Sequence, residues 1–575
     1  MKKYTKAFAV LISIMLIMSG CGKTTSTDTN AGVSSESEAE NIDSSVDITS
    51  NTKDSETVDI NQDADDASDN SDTHNSDASS TLDCIDDTFP RATPEEVGLH
   101  NECFKLVEDV IKTDIEYGFT SAELSVIKDG KLVYEGAWGK LNSYNQDGSV
   151  CETSPDVNVD TMYDLASVSK MFGVNYALQK LVTEGKISLD DKVKTYLGPG
   201  FSDAVIDIQY EDGDNPGIET QKEWKSNLTL RNLLMHQGGF PADPRYFNPH
   251  LDTEKQKFDQ EKPNLLYAGS GADAATKEAT IAAICKTPLL YQPGTRTLYS
   301  DVDYMILGVV IESVTGVDLD TYIKQNFCEP MGLKHITYTP LEHGFSPSDC
   351  AATELNGNTR DNLITFENIR DYTLQGEVHD EKAYYSMGGI SGHAGLFGSA
   401  TDVAILSTLM LGGEFNGERY FSQEVIDNFT GPKSEEVQNW GLGWWRQGNT
   451  EWPSYFGTKA SSSTIGHQGW TGTFVMIDPD NNMIIVLLTN KINTPVTDKD
   501  NEPNTFNGDW YTTARPGFVA DILYTGMDQD VDVTEDLQTI KQNLADKARE
   551  KVTDDMPDNH PAVRNLNSKL QILSE

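Results

Sequence analysis

The heptapeptide Asp164-Leu165-Ala166-Ser167-Val168-Ser169-Lys170 places a serine three residues ahead of a lysine, at the head of an apolar-periodic stretch. On a helix that spacing puts both side chains on one face, with Cβ atoms about 5–6 Å apart. A serine hydroxyl is a weak nucleophile until a base takes its proton. A lysine can be that base if burial and the positive end of a helix depress its pKa, and the first-turn N–H groups can donate to an oxyanion. Ser-x-x-Lys alone is unspecific, since a surface serine beside a surface lysine reads the same way. Two further clusters give it context. Leu298-Tyr299-Ser300-Asp301 precedes a second helical stretch. Tyr299 could relay a proton to a leaving group or simply pack, and Asp301 reads as an N-cap, with Asp303 in the first turn. Gly466-His467-Gln468-Gly469-Trp470-Thr471-Gly472 sets three glycines among seven residues at the head of a strand region. That pattern suits close approach of a ligand to the backbone. His467 could hold a substrate carboxylate or assist protonation, whereas His236 and His393 read as structural, hydrogen-bonded residues. No two histidines have zinc-ligand spacing, so neither metal nor cofactor is expected.

These residues need elements to position them. Pro94-Glu95-Glu96 opens a helix with Thr93 as N-cap, and Leu99, Phe104, Leu106, Val110 and Ile111 give it an apolar side. Residues 122–127 and 131–138 read as strands joined by Lys128-Asp129-Gly130, a hairpin signal. Helical spacing runs over 167–184, with Gly185 as its cap, and again over 301–315. Strand signals return at 473–477 and 483–489 around Asp478-Pro479-Asp480-Asn481-Asn482, and 512–524 reads as a helix packed on the sheet. The order predicts an α+β fold: one antiparallel sheet built from both ends of the chain, flanked by helices, with a helical subdomain beside it. Residues 203–286, rich in Asp, Asn, Gly and Pro, read as loops near the site. Residues 526–575 read as an acidic tail, either a peripheral helix or mobile.

The chain of 575 residues has a net charge of −47, which argues against a nucleic-acid partner. Met1 to Lys6 is basic, Ala7 to Met18 is apolar, and Ser19-Gly20-Cys21 follows. This is a secretory signal peptide over residues 1–20, too short to span a bilayer. Ile17-Met18-Ser19-Gly20-Cys21 resembles a bacterial lipobox, which implies cleavage before Cys21 and a lipid on its thiol. From Gly22 to Pro90 there are 18 acidic residues and two lysines, so residues 21–88 read as a lipidated, self-repelling tether. Its span as a coil is about 45 Å. The other cysteines, Cys84, Cys103, Cys151, Cys285, Cys328 and Cys350, are irregularly spaced. A bridge from Cys151 to Cys84 or Cys103 is one candidate pairing.

Taken in order, Ser167-x-x-Lys170, Tyr299-x-Asp301 and His467-x-Gly469 resemble the motifs of the serine β-lactamase and penicillin-binding protein superfamily. The likeness is nearest to class C β-lactamases, family VIII esterases and low-molecular-weight DD-peptidases. Leu230 to His236, Ser391 to Leu396 and Gly441 to Trp445 also match. Tyr299 to Gly308 looks most like type-4B penicillin-binding proteins. The resemblance spans about 91–525. It implies Ser167 as the acylated nucleophile, Lys170 as its base, Tyr299 in the proton transfers, and the N–H groups of Ser167 and Trp470 as oxyanion donors. Asp301 stands where the family has an asparagine that contacts the substrate amide. His467 stands where β-lactamases carry a lysine. The expected function is that of a lipid-anchored, monomeric serine hydrolase on the extracytoplasmic face of a bacterial membrane, acting on D-alanyl-D-alanine ends of peptidoglycan peptides. The alternatives are an esterase or amidase on small acyl substrates, and a non-catalytic surface binding lipoprotein.

Overall fold

A computed structural model describes residues 89–574, apart from 436, 450, 451 and 501. The stretches expected as signal peptide and tether, with Cys21 and Cys84, lie outside the described residues. Among those described, no helix is long and apolar enough to cross a membrane.

The central sheet has six antiparallel strands drawn from both ends of the chain. β1 (Ser121–Lys128) and β2 (Lys131–Gly139) form a hairpin whose turn uses Asp129 and Gly130 at positive φ, as the Asp-Gly pair predicts. A short three-stranded sheet comes from β3 (Tyr163–Asp164), β4 (Ile336–Tyr338) and β5 (Leu396–Gly398). β6 (Trp445–Arg446), β7 (Ile465–Gln468), β8 (Phe474–Asp478) and β9 (Met483–Thr489) complete the central sheet in the order β2-β1-β9-β8-β7-β6. The two chain ends meet where β1 pairs with β9, Leu124 opposite Leu487. Every residue of β9 is buried. A strand covered on both faces reads as a continuous apolar run rather than an alternation, and Met483-Ile484-Ile485-Val486-Leu487-Leu488 is such a run. Each of its large side chains contributes about 1.5–3 kcal/mol by leaving water.

Helices cover the sheet and build the subdomain. The expected N-terminal helix is split: a 3₁₀ turn at Glu95–Val97 ends on Gly98 at φ +82°, and α1 (Asn101–Glu116) starts afresh. The serine-bearing stretch is also not one α-helix. A 3₁₀ turn (Ala166–Val168) leads into a π-helical turn (Lys170–Asn175) and then α2 (Tyr176–Thr183). Residues 203–286 are more helical than their composition suggests, with helices at Ile218–Asn227, Leu230–Leu234 and α3 (Ala274–Lys286). α4 (Asp301–Thr315) has the expected bounds, and α5 (Ala400–Ser407) lies against β1 and β9. The helix expected over 512–524 is a 3₁₀ turn (Thr512–Ala514) followed by α6 (Gly517–Thr525), which packs on α1.

The stretch from 526 onward forms α7 (Thr534–Arg549) and α8 (Pro561–Ser574). α8 is tied to α1: Lys569 Nζ donates to Asp114 Oδ1 at 2.7 Å, and both side chains are fully buried. Asp114 also accepts from Thr513 N and Oγ1 and from Ser568 Oγ. The candidate Cys103–Cys151 bridge is not formed, for both are free thiols; the alternative through Cys84 lies outside the described residues. Cys103 is buried beside Gly526, and burial pushes its thiol up to about 11.

Candidate active site

Ser167 sits where the small sheet hands the chain to the helical subdomain. β3 fixes the approach by pairing Asp164 with Phe397. Asp164 then accepts the Ala166 N–H at 2.8 Å through Oδ1 and the His379 N–H at 2.7 Å through Oδ2. Ala166 is held at φ +45°, a strained value for a residue with a Cβ. The tight turn aims Ser167 at the subdomain. The π turn that follows widens the helix by one residue per turn, a device common at functional sites. Across the 3₁₀ turn, Lys170 Nζ lies 3.0 Å from Ser167 Oγ.

Lys170 is fully buried and donates also to Asp301 Oδ1 and to the His393 carbonyl, each at 2.9 Å. Its nitrogen lies 4.9 Å from the centre of the Tyr299 ring. Sequence reasoning expects burial to depress the Lys170 pKa. Burial does act downward, but Asp301 and Tyr299 outweigh it and the net shift is upward. The resting lysine is therefore an ammonium. Tyr299 is likewise raised, by burial first, with the Lys170 charge opposing. Because the two interact directly, they titrate as a pair.

Asp301 is not the N-cap its position suggests. Ser300 holds the cap position of α4, and the Asp301 carboxylate turns into the site. One oxygen takes Lys170 and the other lies 3.2 Å from Lys382 Nζ. Both oxygens are thus engaged by cations, so Asp301 is not free to contact a substrate amide as an asparagine would. Burial alone would raise its pKa, yet Lys170 and Lys382 hold it well below the usual carboxylate range.

The third cluster divides in its behaviour. Gly469 is a packing necessity: a Cβ there would collide with Thr473 Oγ1 and the Leu165 carbonyl and would lie 3.2 Å from Ala166 Cβ. This close approach, reinforced by Thr471 and Thr473 hydroxyls donating to the Asp164 and Leu165 carbonyls, clamps the glycine-rich segment onto the serine turn. Trp470 is part-exposed at the rim, its ring near His379 (5.0 Å) and edge-on to Phe506. The guanidinium of Arg360 lies 5.0 Å from the Trp470 ring, itself held by Glu354 and Glu381. His467 departs from expectation. It is buried, its Nδ1–H donates to the Gln468 carbonyl at 2.9 Å, and burial together with the Lys170 charge lowers its pKa to about 3. It is a neutral imidazole whose Nε2 is buried without a partner. It offers an acceptor, not the cation that would hold a carboxylate.

Several further residues stand at the site: His236, Asp303 and His393, given no chemical role from sequence, and Lys382, Asp380 and Asp243, not singled out there. His236 backs Tyr299, with ring centres 4.3 Å apart. Its Nδ1 accepts the Ser300 N–H at 3.3 Å and faces Asp303 Oδ2 at 3.3 Å. Burial pushes the Asp303 carboxyl well above the usual carboxylate range. Lys382, on a π turn (Lys382–Ser386), pairs with Asp243 at 2.7 Å and approaches Asp380 Oδ2 at 3.6 Å. His393, read as merely structural, bridges Asp380 Oδ1 (2.8 Å) and Ser391 Oγ (2.7 Å). The Ser391–Leu396 match could have flagged His393; nothing in the local sequence flags Lys382. Asp301, Asp380 and His393 present donor atoms within 4.8 Å of one another. The ammonium groups of Lys170 and Lys382 already supply the positive charge there, so the set is poorly suited to a metal ion.

Three comparisons bear on this geometry. A family model described as Beta-lactamase matches residues 106–508. The chain belongs to the Beta-lactamase family. It is 43% identical over 440 residues to a protein of Escherichia coli (strain K12) named "Putative D-alanyl-D-alanine carboxypeptidase", covering 76% of this chain and 94% of that one. A protein of the same name from Salmonella typhimurium (strain LT2) is 43% identical over 435 residues, covering 75% and 93%. Among solved structures, EstCE1, "a hydrolase with promiscuous acyltransferase activity", superposes with a TM-score of 0.51 at 19% identity, covering 73% of this chain and 98% of that one, and so shares the fold. As a member of the family, the chain is a serine hydrolase.

Proposed function

We propose that this enzyme removes the terminal D-alanine from D-alanyl-D-alanine peptides of peptidoglycan through an acyl-enzyme on Ser167. The observation that carries the reading is the Ser167 Oγ to Lys170 Nζ contact of 3.0 Å, on a turn clamped against Gly469, Thr471 and Thr473. The names of relatives that share 43% identity over 94% of their own length support the substrate class. In this scheme Ser167 Oγ bonds to the carbonyl carbon of the penultimate D-alanine and its proton passes to the Lys170–Tyr299 pair, in the fraction that has already lost one proton. The Ser167 and Trp470 N–H groups face the developing oxyanion. The C–N bond then breaks, the pair returns the proton to the departing amine, and water hydrolyses the ester to free Ser167. Because both members of the pair are raised, the acidic limb of the rate lies in the alkaline range and activity rises with pH through it.

The test is a side-by-side mass-spectrometric assay on a D-Ala-D-Ala pentapeptide, a cephalosporin and a short ester, with fluorescent penicillin as the active-site label. Release of D-alanine and labelling by wild type but not by Ser167→Ala are expected. Turnover of the ester alone would replace the reading with an esterase. The proposal includes a lipid on Cys21 that holds the enzyme outside the cell membrane. Labelled palmitate should enter wild type and not Cys21→Ala.

A further inference from the structure

Lys170 belongs to a closed ring of charges. Asp301 joins Lys170 (2.9 Å) to Lys382 (3.2 Å), Lys382 faces Asp380 (3.6 Å), Asp380 accepts from His393 (2.8 Å), and the His393 carbonyl returns to Lys170 (2.9 Å). Asp243 holds Lys382 from outside at 2.7 Å. We propose that Lys382 is a positioning residue for acylation: by sharing Asp301 with Lys170, it limits how firmly that carboxylate keeps the proton on Lys170. The inference rests on the reading of Ser167 as the acylated nucleophile.

The charge balance makes the argument. Besides Asp301, Lys170 faces Ser167, Tyr299, Tyr304, whose ring centre is 5.9 Å away, and the rings of His236 and His467. Both histidines are neutral, since burial and the Lys170 charge hold them well below their ordinary value. The cation that β-lactamases place at the His467 position is therefore missing from that wall. Lys382 supplies one through the shared Asp301, with its side chain only 8% exposed. With both lysines charged, Asp301, Asp380 and Asp243 face two cations. Asp243 keeps Arg245 at 3.1 Å in either case, but without Lys382 the Asp301 carboxylate would be left to Lys170, whose ammonium would be harder to deprotonate. A lysine that merely neutralised Asp380 and Asp243 would not be expected to move the titration of Lys170.

The test is the pH dependence of the Ser167 acylation rate, from neutral to alkaline, with a fluorescent penicillin and a neutral thioester. Wild type, Lys382→Met, Lys382→Arg and Asp243→Asn are compared, with thermal melts as the folding control. For Lys382→Met the acidic limb should move up by about one pH unit, so the rate falls about tenfold below the limb and recovers on the plateau. Lys382→Arg should restore the wild-type limb. Asp243→Asn, at a half-exposed position, should move the limb the other way by leaving more of Lys382 to Asp301; it keeps the idea testable if Lys382→Met does not fold. A uniform loss of rate with no displacement, or an unmoved limb in Asp243→Asn, would overturn the proposal. Absence of Ser167 labelling in wild type would instead sink the functional reading itself.

Discussion

Lys170 and Lys569 are both fully buried and both donate to an aspartate, at 2.9 and 2.7 Å. They are pushed in opposite directions: Lys170 is raised and Lys569 is lowered. Burial acts downward on each. The difference lies in what else the surroundings offer. Lys170 has Tyr299 and Asp301 acting together. Lys569 has only Asp114, whose oxygens are also engaged by Thr513 and Ser568. Lys225 extends the series. It donates to the carbonyls of Ile284, Cys285 and Thr287 at the end of α3, has no carboxylate, and burial drives it down to about 7. A buried lysine is thus a proton carrier, a clasp or a cap according to the number and sign of its partners.

The largest effect should come from Lys170→Ala, which should slow Ser167 acylation about 10²–10⁴-fold, or about 3–5 kcal/mol of barrier, measured by stopped-flow labelling. An equal rate in the variant would mean that the ring is structural, like the α1–α8 clasp. Asp114→Ala probes the other pole. It strands the buried Lys569 and should cost about 3–5 kcal/mol in urea unfolding, while kcat per folded molecule stays within about twofold. Loss of activity without loss of stability would break the division of labour.

Lys225 gives a pH test. Its value falls from 10.5 in the unfolded chain to about 7 in the folded one. The unfolded state therefore binds more protons between these values, so stability rises with pH across that window, by on the order of a few kcal/mol, and is lost again as pH falls towards neutral. Lys225→Met should flatten that slope in denaturant titrations. The smallest effect should be that of Gly469→Ala. The added methyl must push β7 off the Leu165 carbonyl, and about a tenfold drop in kcat, or about 1.4 kcal/mol, is expected with a modest change in melting temperature.

Much of the molecule is legible in its sequence because the informative signals are local. The Asp129-Gly130 turn, the apolar run of β9 and the bounds of α4 each follow from residues adjacent in the chain. The approach of Ser167 to Lys170 follows from a spacing of three, although a 3₁₀ turn rather than an α-helix delivers it. What was not legible depends on partners far away in sequence. Asp301 looks like a cap until Lys382 and Lys170 are seen on its two oxygens. The tautomer and charge of His467 are set by burial and by a neighbouring carbonyl, which composition does not reveal. The ordered end of the chain was hidden because the buried face of α8 includes the polar Asn565, Ser568 and Lys569, and Asp114, the partner of the last two, lies 455 residues from Lys569.

That separation has a consequence for how the molecule comes into being. β1 cannot find β9, nor Asp114 its lysine, until nearly the whole chain exists. While the chain is still emerging, the hairpin of β1 and β2 has an open edge at β1, and α1 carries an acid destined for a partner not yet made. Contacts of such long range are slow to form and leave strand edges exposed in the meantime. The 14 residues of α8 therefore act as a closing latch on assembly. A chain cut just before α8 should remain a substrate for proteases and chaperones even though every residue around Ser167 is present.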